Sequence, residues 1–280
     1  MGSELKHPQV EMYESEISDI PVLEFKPSAE EGRRIVRGSV IFYHGWSSRK
    51  ENQIFRASTI ASHGYRVVVP DAFHHGDRGE LDYDSEEALS RHFFPILIQS
   101  VRESAALIDY LQLEKDSPSG CSGDDSLAVM GHSMGGFIAS GVITARSGVD
   151  TMINVNGSCA WLKIREILLQ EMQERSEEEL EFDPRDTEVE LAGGESVDLE
   201  DYDPYHNIAA LDSRPVLLLH GEEDSSVPLA GQRYFYQRAR SHYEASPDHL
   251  RLEIYENLNH YFTTGMLAES IEWLENYLIT

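Results

Sequence analysis

The sequence predicts an α/β fold, a mostly parallel sheet of about eight strands with helices on both faces, and three observations carry that reading. From residue 38 onward, short runs rich in Val, Ile and Leu alternate with longer stretches of helical periodicity. Those runs are apolar almost without interruption, as strands buried on both faces must be. One of them ends in "GHSMG" (131–135), a serine bracketed by glycines where a helical pattern begins. A chain of 280 residues, 40% of them hydrophobic, suffices for one such domain and its core.

Taken in order, runs near 9–15 and 20–26 predict an antiparallel hairpin at one sheet edge. The strands that follow are "GSVIFYHG" (38–45), "YRVVVPD" (65–71), "SLAVMGHS" (126–133), "TMINVNG" (151–157), "PVLLLHG" (215–221) and "LRLEIYEN" (250–257). Helices are predicted near 50–63, 85–112, 134–147, 229–243 and 261–278. In 85–112, Leu89, Phe93, Leu97, Val101, Ile108 and Leu111 recur at three- and four-residue steps and form one apolar face. Pro95 is expected to kink this helix or split it in two. The rhythm breaks once. Residues 158–212 read as a cap-like insertion within a single domain spanning 1–280. It opens on the helix "WLKIREILLQEMQER" and continues through "SEEELEFDPRDTEVELAGGESVDLEDYDP". The acidic part is expected to be a solvated, partly mobile loop, with a gate over the substrate as the sharper alternative.

The formal net charge of −27 excludes recognition of nucleic acid or an anionic membrane through a basic surface. Lysine is confined to Lys6, Lys26, Lys50, Lys115 and Lys163, a bias that adaptation to high salt would explain. The start, "MGSELKHPQVEMYES", lacks the apolar segment of a secretory signal, and no apolar stretch approaches the roughly 18–20 residues of a membrane span. The expectation is a cytoplasmic protein, a monomer or homodimer. Cys121 and Cys159 stand in no metal-ligand or redox spacing and are read as structural.

In G131-H132-S133-M134-G135 the serine sits on a sharp strand-to-helix turn. The small residues on either side let the backbone fold past it, so that Oγ projects outward and the following N–H groups face a developing oxyanion. This is the nucleophile elbow of α/β-hydrolases, in which a carboxylate and then a histidine follow in chain order. Strand 215–221 leads into "EEDSSVP" and places Asp224 at its end, with Glu222 and Glu223 as rivals disfavoured by the register "HGxxDxxVP". The last strand leads into "NLNHYFT" and places His260 in the next loop. Of the other histidines, His44 and His220 are expected to brace "HG" turns, and His132 to point away from the shared face. His63, His92, His206, His242 and His249 are read as surface or packing residues. Backbone N–H groups of Trp46 and Met134 are the expected oxyanion donors. Trp46, Phe73, Met134, Trp161 and Tyr261 are the expected apolar wall of the substrate pocket. In "DAFHHGDRGELDYD", Asp71, His74, His75 and Asp77 cluster without a recognised ligand spacing, so neither metal nor cofactor is called for.

Together "VIFYHGWSS", "YRVVVPDAFHHGDR", "FFPILIQSVRE", "LAVMGHSMGGFIASGVITAR", "RPVLLLHGEEDSSVP" and "NHYFT" resemble the α/β-hydrolase superfamily. More closely, they resemble the small bacterial carboxylesterases of the dienelactone-hydrolase/prolyl-oligopeptidase-like branch (YitV/YjfP type). The resemblance runs from the first parallel strand to the last helix; the acidic insertion does not match. It implies a carboxylesterase acting on short acyl esters as small-molecule substrates, with Ser133, Asp224 and His260 as triad. The alternatives are a peptidase or thioesterase on the same triad, the peptidase weaker because no propeller precedes the hydrolase region, and a non-catalytic binding protein.

Overall fold

The computed structural model describes residues 10–28, 35–114, 122–123, 126–175 and 187–278. The chain opens on a hairpin of β1 (Val10–Ile17) and β2 (Ile20–Pro27), whose turn residues Ser18 and Asp19 both take positive φ. A two-residue strand β3 (Ile35–Val36) precedes β4 (Ser39–Tyr43), α1 (Ile54–Ser62), β5 (Arg66–Pro70) and α2 (Glu86–Glu114). Then come β6 (Ser122–Gly123), paired with β3, and β7 (Leu127–His132), α3 (Met134–Ala145), β8 (Thr151–Val155) and α4 (Trp161–Arg175). The segment after α4 contributes β9 (Glu188–Glu190) and β10 (Ser196–Asp198). β11 (Val216–Gly221), α5 (Leu229–Ala239), β12 (Leu250–Tyr255) and α6 (Thr264–Tyr277) complete the fold.

Eight strands form one sheet in the order β1-β2-β5-β4-β7-β8-β11-β12. β1, β2 and β5 pair antiparallel; every other neighbour pair is parallel. Alternation along each parallel strand explains the near-continuous apolar runs. On β4, Val40 and Phe42 join the core cluster that includes α1 and α6, while Ile41 and Tyr43 join the one that includes α2 and α3. Leu217 and Leu219 on β11 divide from Val216 and Leu218 in the same way. Among the described residues no helix is long and apolar enough to cross a membrane.

Two expectations are corrected. α2 runs unbroken from Glu86 to Glu114 with Pro95 inside it. The split into two helices is thereby overturned; the proline removes one helical hydrogen bond, and Ile96 and Leu97 beside it are buried, so packing holds the helix through it. The acidic stretch is not a loop throughout. Residues 176–186 lie outside the described residues, whereas β9 and β10 pair antiparallel around Gly193 and Gly194, both at positive φ. Val189 and Leu191 are buried in the core and Arg102 of α2 holds Glu195 with two hydrogen bonds of 2.8 Å, which fixes this hairpin to the body.

Asp203 ties the segment after β10 to the start of α4. Its buried carboxylate accepts the N–H groups of Trp161 (3.1 Å), Leu162 (3.0 Å) and Tyr205 (3.0 Å), two of them otherwise unpaired in the first turn of α4. Burial pushes the carboxyl up and these hydrogen bonds only partly offset it. Replacement Asp203→Ala is expected to lower unfolding free energy by about 2 kcal/mol in urea titrations, the cost of a lost cap plus orphaned donors.

Candidate active site

Ser133 links β7 to α3 with φ 58° and ψ −124°, a backbone conformation that side-chain-bearing residues rarely adopt. Local chemistry holds it there. The Ser133 N–H donates to the Val155 carbonyl (2.8 Å), and its own carbonyl accepts from Gly136 N–H (2.8 Å). A Cβ on Gly131 would overlap the Gly135 carbonyl, and one on Gly135 would overlap the Tyr43 carbonyl. The bracketing glycines are therefore required because three backbone segments cross where the serine stands. Among the described residues Ser133 Oγ has no hydrogen-bond partner, and its side chain reaches the surface.

Asp224 follows β11 and His260 follows β12, and the structure brings them together. His260 Nδ1 lies 2.7 Å from Asp224 Oδ2, so Nδ1 carries the donated proton and Nε2 is left as the lone-pair nitrogen. The other oxygen, Oδ1, accepts N–H from Ser226 (2.9 Å) and Val227 (2.8 Å). Burial pushes the Asp224 carboxyl up, but the hydrogen bonds from His260 and Val227 and the neighbouring imidazoles outweigh it and hold it below the usual carboxylate range. Glu222 and Glu223 are exposed, and among the described residues the carboxylate that pairs with His260 is that of Asp224.

The expected oxyanion donors lie beside the serine. A Cβ on Gly45 would stand 3.2 Å from Ser133 Cβ, which puts the Gly45–Trp46 peptide against the nucleophile candidate. Neither Trp46 nor Met134 N–H has an acceptor among the described residues. His44 fixes that peptide: its Nε2 accepts the Ala72 N–H (3.1 Å), so Nδ1 is protonated and donates to the Gly45 carbonyl (2.8 Å). Burial lowers the His44 pKa and keeps it neutral. His220 braces the opposite loop, with Nε2 donating to the Val227 carbonyl at 2.9 Å and lying 3.4 Å from Asp224 Oδ2.

Several placements differ from the expected ones. His132 does not point away; its ring lies 5.1 Å from that of His260 and 5.7 Å from Phe262, because β7 ends against the loop carrying both. Of the expected pocket wall, Trp161 and the Met134 side chain have no exposed surface. Trp161 faces the core and donates from Nε1 to Ser140 Oγ (3.1 Å). Trp46 and Phe73 are partly buried, and Tyr261 is 67% exposed. Asp71 and Asp77 close on the buried Lys50 ammonium, not on the two histidines. His74 meets His92, and His75 meets His44 and Trp46.

Sequence reasoning missed Asn156. At φ 50°, this buried residue at the end of β8 accepts the Gly221 N–H on Oδ1 (3.0 Å) and donates from Nδ2 to the Tyr261 carbonyl (3.1 Å). It thereby ties the Asp224 loop to the His260 loop. Asn259 adds a second tie, its Oδ1 accepting N–H from Ser225 (3.0 Å) and His260 (2.7 Å). No motif marks Asn156; only its place after a central strand, "INVNG", hints at it.

Replacing Asn156 by Ala is expected to lower kcat by on the order of 10²-fold, the loss typical of a small misplacement of reacting groups, with KM moving less. His132, pushed down to about 3 chiefly by burial and then by His260 and Arg56, should stay neutral. Its ring carbon resonances should not titrate between pH 8 and 4. Unfolding returns it to about 6.5, so the unfolded chain binds the extra proton and this group subtracts stability as pH falls below that value.

Comparison with known proteins identifies the family of the chain. Residues 119–278 match the model of the prolyl oligopeptidase family. Over 262 residues the chain is 31% identical to the Bacillus subtilis (strain 168) protein named "Putative esterase YitV", covering 94% of this chain and 97% of that one. It is 30% identical over 220 residues to esterase YjfP of Escherichia coli (strain K12), covering 78% and 80%. The crystal structure of TT1662 from Thermus thermophilus superposes with a TM-score of 0.67 at 20% identity, over 96% of this chain and 98% of that one, and so shares the fold. The chain therefore belongs to the prolyl oligopeptidase family, in the esterase branch of the α/β-hydrolases, and is a serine hydrolase.

Proposed function

We propose that the protein is a carboxylesterase that hydrolyses short-chain carboxylic esters through an acyl-enzyme. The observation that carries this reading is the 2.7 Å contact of His260 Nδ1 with Asp224 Oδ2 in the loops beyond two strand ends, on the same edge as the strained Ser133. A hydroxyl becomes a competent nucleophile when a neutral imidazole takes its proton as it attacks. In this scheme Ser133 Oγ adds to the ester carbonyl and its proton passes to His260 Nε2. Asp224 stabilises the imidazolium, and the Trp46 and Met134 N–H groups hold the oxyanion. Collapse expels the alcohol, which takes the proton from His260. Water, deprotonated by the same imidazole, then releases the acid and restores the serine. Trp46, Phe73 and Tyr261 flank the acyl or alcohol part.

A peptidase reading keeps the same groups and draws on the description of the matched family. The esterase relatives favour the ester. With p-nitrophenyl acetate, an acyl-thioester and an aminoacyl anilide on one preparation, the ester is expected to turn over fastest; a faster anilide would transfer the assignment to peptide bonds. Ser133→Ala should lower kcat/KM for the ester by about 10⁴-fold or more, and Asp224→Asn by about 10⁴-fold.

A further inference from the structure

A cavity of about 450 Å³ lies between the β9–β10 hairpin and the first half of α2, and none of Ser133, Asp224 and His260 lines it. That volume is typical of a small-molecule site. One wall is a run of rings. Phe73 and His74 approach to 4.1 Å between centroids, and His74 meets His92 at 5.4 Å. His74 presents its ring from a φ of 59°, with its carbonyl held by the Tyr83 hydroxyl at 2.8 Å.

The second feature is a cation without a counterion. Arg91 lines the cavity and makes no hydrogen bond or ion pair among the described residues. In a chain with 50 acidic residues against 23 basic ones, a carboxylate within reach would be the default partner. The imidazoles of His74 and His92 likewise make no side-chain hydrogen bond among the described residues. Arg165 of α4 borders the same space. Two carboxylates, Glu188 and Glu190, also border it, both exposed on either side of the buried Val189.

We propose that this cavity binds a planar aromatic carboxylate, the arene packed among the mutually tilted Phe73, His74 and His92 rings and the carboxylate engaging the Arg91 guanidinium. Arginine recognises carboxylates through paired N–H donors and stacks with aromatic faces, a combination that a short aliphatic acid would leave half used. Phosphate would engage the guanidinium alone, because it has no ring to place against Phe73, His74 and His92. Occupancy of this cavity does not depend on which bond the serine hydrolyses.

The test is calorimetric titration of the intact protein at low ionic strength with 2-naphthoate and with its neutral isostere 2-naphthamide. The carboxylate is expected to bind at least ~10-fold more tightly, as a charge-assisted hydrogen bond implies. Arg91→Gln should abolish that preference and Arg91→Lys retain part of it. Arg91 is exposed, so neither change should alter the melting temperature. Ring resonances of His74 and His92 should shift on titration with 2-naphthoate. Equal affinity for the two ligands, a preference undiminished in Arg91→Gln, or unmoved His74 and His92 resonances would overturn the proposal.

Discussion

The arrangement depends on one steric constraint, the crossing of backbone at the elbow. β7 ends, α3 begins, and the end of β4 passes alongside, all within contact of Ser133. A side chain on Gly131 or Gly135 would collide with a carbonyl of the neighbouring segment, so the strained φ of 58° at Ser133 exists only because its flanks are glycine. Strain of this kind costs on the order of 1–3 kcal/mol and persists where the surroundings over-determine it. Here they do: Val155 on β8 accepts the serine N–H, and Gly136 N–H holds its carbonyl. The same crossing puts the Gly45–Trp46 peptide against the serine, so nucleophile candidate and oxyanion candidate are set by one packing event.

Around that point the protein keeps its imidazoles neutral by burial and uses them as struts. His44 orients the Gly45 carbonyl, His220 leans on Asp224 and the Val227 carbonyl, and His132 lies against the ring of His260. Burial is the largest cause of the lowered pKa of all three. His260 differs in being partly exposed and paired with a carboxylate. One residue type thus serves two purposes, separated by depth and partner. On the other side of the Gly45–Trp46 loop, Lys50 gathers Asp71, Asp77 and Glu51 around a buried ammonium and fixes the segment that carries Phe73 and His74.

What could be read from sequence follows from what is local. The apolar runs gave the parallel strands because each is buried on both faces, and "GHSMG" marked the elbow because its glycines answer a local steric demand. That Asp224 and His260 follow neighbouring strand ends and so can meet was legible from chain order. Asn156 was not, because its task depends on β8 lying beside β11, a non-local pairing. His132 was misplaced for a similar reason: its neighbours, His260 and Phe262, lie about 130 residues away in the chain. Trp161 looked like a pocket wall by residue type, yet the start of α4 turns it into the core, where Asp203 caps the helix. The β9–β10 hairpin was hidden by its acidity, although the Gly-Gly in "ELAGGES" is a turn signal.

The claim at the centre of this account is that the Asp224-held imidazole activates the hydroxyl at 133. Its most direct measurement is the rate and position of covalent labelling by a fluorophosphonate, read by peptide mass spectrometry on the native chain and on His260→Gln. The account predicts a single adduct on Ser133 that forms rapidly in the native protein and slows by orders of magnitude in the variant. An adduct on another residue, or equal rates in the two proteins, would contradict it.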